Sequence, residues 1–220
     1  MAALAKVKGV KSVHACWGRP DIFTYVELDD LRALGELVLD KVQRLDGVEQ
    51  TDVNTALVMT ARTLVEREPN YSQVTARLLM DTLRAEALGF LGVAESATHH
   101  EMADLYAKAL PAYVEAGAQF ELLDPKLKEY DLEKLGKALN HERDQQFTYL
   151  GLQTLYDRYF LHIHGTRIEM PQAFYMRVAM GLALNEIDRE ARAIEFYHLL
   201  STFDFMSSTP TLFNSGTQRS

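Results

Sequence analysis

Residues 145–183 read QQFTYLGLQTLYDRYFLHIHGTRIEMPQAFYMRVAMGLA, and the order of signals within this stretch decides the fold class. From Gln145 to Tyr159, leucines and aromatics recur at helical spacing. Phe160-Leu161-His162-Ile163 then alternates apolar and polar. His164-Gly165-Thr166 follows, and Arg167-Ile168-Glu169-Met170 returns as the second arm of a small β-hairpin turning on Gly165. Pro171 suits the first turn of the next helix, which carries Phe174, Val178 and Leu182 on one face. Helix, hairpin and helix joined by short connections predict a mainly α protein, a helical bundle with one small hairpin.

The same periodicity extends in both directions. Leu31, Leu34, Val38, Val42 and Leu45 follow the capping candidates Asp29 and Asp30, and Asp46-Gly47 supplies a stop. A second helix starts at Thr51 or Asp52, places Val53, Leu57, Ala61, Leu64 and Val65 on one face, and ends before Pro69-Asn70. A third runs from about Ser72 to Leu88 with Val74, Leu78, Leu79 and Leu83 inward and Gly89 as its left-handed cap. The small, polar run from Phe90 to Thr98 is the best internal linker, dividing the chain into residues 1–90 and 91–220. Beyond it, Met102 to Tyr113 forms a helix with Pro111 near its end, Asp131 to Asn140 a short one, and Asp188 to Ser201 the last. Phe203 to Ser220 reads as an extended Ser/Thr-rich segment.

Composition narrows the function classes. Of 220 residues, 47% are hydrophobic and 25% charged, the balance of a folded soluble protein. The net charge of -8 argues against a general electrostatic grip on nucleic acid or anionic lipid. Cys16 is the only cysteine, so an internal disulfide, a dithiol redox pair and a cysteine zinc site are excluded, which fits a reducing cytoplasm. Met1 to Val13 lacks the apolar stretch of a secretory signal, and no segment has the run of about 18 apolar residues that spans a membrane.

Candidate chemistry is sparse. His99-His100-Glu101, His162-x-His164 and Glu195-x-x-His198 are metal-ligand candidates by residue type, but a di-iron bundle needs two Glu-x-x-His helices where only one is present. Surface or capping roles explain these histidines, and helix capping explains Asp124, Asp131 and Asp188. There is no GxSxG elbow, no phosphate loop and no GxGxxG. The tail Ser208-Thr209-Pro210-Thr211-Leu212-Phe213-Asn214-Ser215-Gly216-Thr217 crowds hydroxyls, Pro, Asn and Gly around two apolar residues. Two readings stay open for it: a surface that meets a polar ligand, or a capped loop anchored by Leu212 and Phe213.

Three ordered blocks resolve the choice by resemblance. Asn140 to Phe160 (NHERDQQFTYLGLQTLYDRYF), Glu169 to Ala179 (EMPQAFYMRVA) and Ser208 to Thr217 (STPTLFNSGT) resemble the N-terminal helical segment of the large subunit of class I ribonucleotide reductases. A weaker similarity reaches back through Gly89 and Pro69 to Asp46-Gly47.

That resemblance implies that the segment precedes a ten-stranded α/β barrel, absent from this chain, which binds a ribonucleoside diphosphate and reduces it to the deoxyribonucleotide through a thiyl radical. It carries Thr209, the residue before the Pro of the third block, over as a substrate-binding residue, and assigns this chain no catalytic residue and no metal. A metal-radical small subunit and a thioredoxin- or glutaredoxin-type reductant are the implied partners of the complete enzyme. Cys16 matches none of the family's redox thiols, so the isolated chain is expected to be inactive and to bind no cofactor itself. Residues 1–90 only partly resemble the family's ATP cone, leaving ATP or dATP effectors as an implied possibility, and residues 91–220 are expected to end in a substrate-pocket strand. Two other classes stand beside this reading, a non-catalytic subunit complementing a separate barrel chain and a helical metal-binding protein.

Overall fold

Apolar periodicity becomes helix over most of the chain in the computed structural model, which describes residues 2–15, 22–27, 37–42, 45 and 50–219. The chain forms two units, Met1–Leu64 and Val65–Ser220. The division falls ahead of the linker expected near residue 90. Helix 71–90 lies within the second unit because its stripe Ala76, Leu79, Met80, Leu83, Ala87 and Leu88 is buried there.

The first unit opens with strands β1 (Val10–Ala15) and β2 (Ile22–Val26), paired antiparallel with an irregularity between Val10 and Ser12. Sequence periodicity predicts no strand here. Val10, Val13, Ile22 and Val26 are β-branched residues that favour a pleated surface, but the run is too short for periodicity to show it. A π-helical turn, Leu37–Val42, contributes buried Leu37, against which Val7, Val26, Val42 and Leu57 pack. Helix α1 spans Gln50–Thr63. The helix expected from Leu31 to Leu45 and the residue Cys16 lie largely or wholly outside the described residues.

The second unit contains α2 (Tyr71–Phe90), α3 (Met102–Gln119), α4 (Leu132–Lys137), α5 (Tyr149–Arg158), the hairpin β3 (His162–Ile163) and β4 (Thr166–Arg167), α6 (Pro171–Ala183), α7 (Arg189–Ser201) and α8 (Thr209–Asn214). The Asp124, Asp131 and Asp188 carboxylates accept hydrogen bonds from the first-turn amides of Lys126, Lys134 and Ala191, as the capping reading requires. His162 faces Arg167 and Ile163 faces Thr166, with Gly165 at φ 88° between them. Gly89, by contrast, is helical, and Gly92 at φ 66° takes the left-handed position. Val74, expected inward, is exposed, because the buried stripe is set by Ala76 and Leu79.

Helix α6 is the centre of this unit. Phe174, Met176, Val178, Ala179 and Met180 are inaccessible to solvent, together with Gln172 and Arg177. Such a helix is apolar nearly all round, as a central helix must be. Tyr156 and the Arg167 amide both donate to the Glu86 carboxylate, which ties α5 and the hairpin to α2. Among the described residues no helix is long and apolar enough to cross a membrane.

The tail departs from expectation. Residues 209–214 form helix α8, not a strand, because Ser208 is extended at φ −63°, ψ 154° and Pro210 sits in the first helical turn, where its missing amide costs nothing.

Candidate functional site

The site is built on the buried arginine of α6. An arginine inside AFYMRVAMGLA has no route to water, so its five donors must find acceptors in the protein. Arg177 Nε donates to Glu169 Oε1 at 2.7 Å and Nη2 reaches Glu169 Oε2 at 3.5 Å. Its Nη1 donates to the Ser215 carbonyl at 2.7 Å, and Nη1 and Nη2 both reach the Leu212 carbonyl at 3.2 and 3.3 Å. The last two acceptors belong to the end of α8, so a side chain of α6 satisfies carbonyls that the helix itself leaves open.

Glu169 is shared more widely. Tyr113 of α3 donates to Oε1, and the Leu161 amide donates to Oε2 at 2.8 Å. Burial lowers the pKa of Arg177, but Glu169 and Tyr113 offset this and leave it above its ordinary value. Burial, reinforced by the charge of Glu169, pushes the Tyr113 phenol well above the usual tyrosine value.

The tail is also fixed through its backbone. Ser215 Oγ donates to the Val178 carbonyl at 2.8 Å, the Asp124 amide donates to Gly216 O at 3.1 Å, and Leu123 and Thr217 form an antiparallel bridge. Gly181 of α6 lies directly under Gly216, where a Cβ would collide with the Gly216 nitrogen. On the outer side, Thr209 is exposed and its Oγ1 shares a 3.1 Å hydrogen bond with the Tyr159 hydroxyl. Tyr159 stacks on Phe213, with ring centroids 4.7 Å apart and planes at 19°.

A second buried network begins in the block NHERDQQ. Asp144 accepts from Tyr106 of α3 at 2.8 Å and from Gln172 of α6 at 2.7 Å. The Gln172 side-chain oxygen Oε1 accepts from Tyr197 of α7, whose hydroxyl accepts from the Asn140 amide at 2.9 Å. Burial raises the Asp144 pKa, while the hydrogen bonds from Gln172 and Tyr106 oppose that rise. Arg143 next door donates to Ser201 Oγ and to His198 Nδ1. The three sequence blocks thus meet on α6: the first through Asp144, the second through Glu169 and Arg177, the third through the carbonyls of residues 212 and 215.

A family model described as "Ribonucleotide reductase, all-alpha domain" matches residues 145–220, which include Glu169, Gln172, Arg177 and Thr209. The alpha subunit of the ribonucleoside-diphosphate reductase of Chlamydia pneumoniae is 45% identical over 175 residues, covering 79% of this chain and 16% of that protein. The corresponding subunit of Helicobacter pylori is 34% identical over 202 residues, 90% of this chain and 24% of its own length. Over about four-fifths of its length the chain matches part of the ribonucleotide reductase large subunit. The large subunit of Danio rerio is a more distant relative, 32% identical over 187 residues, 84% of this chain and 22% of that one. The chain therefore spans a quarter or less of the length of these reductase subunits. A second family model, described as "Lrp/AsnC ligand binding domain", matches residues 1–83, which include the β1–β2 hairpin.

Within the reductase segment, the histidine candidates separate. Glu195 pairs with Arg192 at 2.6 Å and His198 with Arg143 at 2.9 Å, the surface roles expected of them. His162 lies on β3 and His164 in the turn at φ 50°, both exposed. His99 instead meets two residues that sequence reading left aside. Its Nε2 lies 3.3 Å from Glu142 Oε2, and His141 Nε2 lies 3.1 Å from Glu142 Oε1. Sequence reasoning also missed Arg177, Glu169 and Asp144, although a lone charge within an apolar helical run was the available signal for Arg177.

Proposed function

We propose that this chain is the N-terminal helical part of a ribonucleoside-diphosphate reductase large subunit, which reduces ribonucleoside diphosphates to deoxyribonucleotides for DNA synthesis. Its role there is architectural and substrate-facing. The observation that carries the reading is the Arg177 clamp, which fixes the carbonyls of Leu212 and Ser215 from inside while Thr209 stays exposed on the outer side. A short segment anchored on one face and open on the other suits a rigid wall of a pocket that the barrel completes.

In the complete enzyme, Thr209 hydrogen-bonds the ribose or diphosphate of the substrate. The Tyr159 hydroxyl holds the Thr209 side chain in position, and the stacked Phe213 covers Tyr159. The remaining partners are the barrel, on the same or a separate chain, a radical-generating small subunit with its metal, and a thioredoxin- or glutaredoxin-type reductant. The setting is the cytoplasm, and any sensing of ATP or dATP by this chain falls to residues 1–90.

Equilibrium binding of a nucleoside diphosphate to the reconstituted or full-length enzyme tests the site. Removing one hydrogen bond to a charged group costs about 1.5–3 kcal/mol, so Thr209→Val should weaken binding roughly tenfold to a hundredfold. If backbone amides make the contact, Val is tolerated and Thr209→Trp blocks binding. Equal affinity of wild type and both variants would show the tail to be only a structural loop.

A further inference from the structure

The start of α3 and the 3-10 turn His141–Gln146 bring together three metal-ligand side chains far apart in sequence: His99, His141 and Glu142. We propose that they form a binding site for a first-row divalent cation of the zinc type, independent of the reductase reading.

The geometry carries the case. One donor atom from each of the three residues lies within 4.8 Å of the other two. A zinc ion held at about 2.0–2.2 Å in a tetrahedron sets its donors about 3.3–3.6 Å apart. The 3.3 Å separation of His99 Nε2 from Glu142 Oε2 matches that edge, and His141 Nε2 lies 3.1 Å from the other carboxylate oxygen, Oε1. The two imidazole rings are 4.9 Å apart between centroids at 39°, so side-chain rotation brings both imidazoles and one carboxylate oxygen onto a single ion.

Donor chemistry selects the ion. Two imidazoles and one carboxylate suit zinc, cobalt or nickel and exclude the all-oxygen preference of magnesium and calcium. His99 and His141 keep only 17% and 19% of their side-chain surface exposed, whereas Glu142 keeps 63%, so the imidazoles are preset and the carboxylate closes over the ion from the solvent side. The fourth position faces solvent, the pattern of an open rather than a purely structural zinc site.

One neighbour opposes binding. Arg84 Nη2 lies 3.4 Å from His99 Nδ1, which places a guanidinium behind a ligand ring. Its charge is partly offset by Asp81 at 3.1 Å and Asp144 at 3.7 Å.

Titration of the full 220-residue chain with zinc chloride by calorimetry, and with cobalt(II) by visible absorption, tests the proposal. The expected result is saturable one-to-one zinc uptake and an intense four-coordinate cobalt band. Glu142→Gln and His141→Ala should each weaken zinc binding at least about tenfold, with circular dichroism unchanged. The double change His162→Ala and His164→Ala, at the other closely spaced histidines, should leave it unaltered. Absence of saturable uptake overturns the proposal. So does wild-type affinity in both Glu142→Gln and His141→Ala, or a loss confined to the His162 and His164 variant.

Discussion

At the scale of single residues, the buried pair Arg177 and Glu169 decides the most. Both side chains are fully buried, and together they satisfy a phenol, a backbone amide and two backbone carbonyls. Removing one member of such a pair leaves an uncompensated charge in a low dielectric, which costs about 3–5 kcal/mol. Arg177→Met and Glu169→Gln should therefore each lower the urea midpoint strongly. The double variant Arg177→Met with Glu169→Gln should lose clearly less than the sum of the two, because neither change then strands a charge. Additive losses in that cycle would mean that the two residues act separately. In both Arg177 variants the tail should also lose amide-exchange protection at Ser215 and Thr217, since their neighbouring carbonyls lose their donor.

At the scale of elements, glycines mark where helices and turns approach too closely for a side chain. Pro111 lies inside α3 and has no amide, so the carbonyl of Ala107 lacks its helical donor. Gly136 of α4 crosses α3 at that turn, where an added Cβ would lie 3.0 Å from both the Ala107 Cα and its carbonyl oxygen. Backbone cannot yield as a flexible side chain does, so Gly136→Ala should destabilise by about 1–3 kcal/mol. Gly89, in the last turn of α2, would carry a Cβ with no other atom within 4 Å, and its backbone is not left-handed. Gly89→Ala should therefore be neutral or stabilise by up to about 1 kcal/mol through the unfolded chain. Urea denaturation of the two variants side by side checks both signs, and equal losses would refute the assigned crossing.

At the scale of the whole molecule, the folded state keeps several tyrosines un-ionised far above their ordinary range. Burial, with the charges of Asp144 and Glu169, raises Tyr106 and Tyr113 well above 10, and burial pushes Tyr130 up to about 12. These phenols ionise near 10 in the unfolded chain, so between there and their folded values the native state binds more protons. Stability is fully present below about pH 10 and is lost as pH rises through the folded values. Urea midpoints should fall steeply from about pH 10 towards 12, and Tyr130→Phe should flatten part of that slope; a flat midpoint over this window would contradict the burial of these phenols. How much was legible in advance follows the same division between local and long-range order. The sequence by itself determined most helices of the second unit, the Gly165 hairpin, the Asp124, Asp131 and Asp188 caps and the family resemblance, because periodicity, turn chemistry and capping depend on residues within a turn or two. Only the tertiary structure decided that residues 209–214 coil into a helix held by Arg177, that Asp144 meets Gln172 and Tyr106, and that His99 stands beside His141 and Glu142. Those outcomes depend on which distant segment fills the space around α6, and a buried charge takes whatever acceptors that packing delivers.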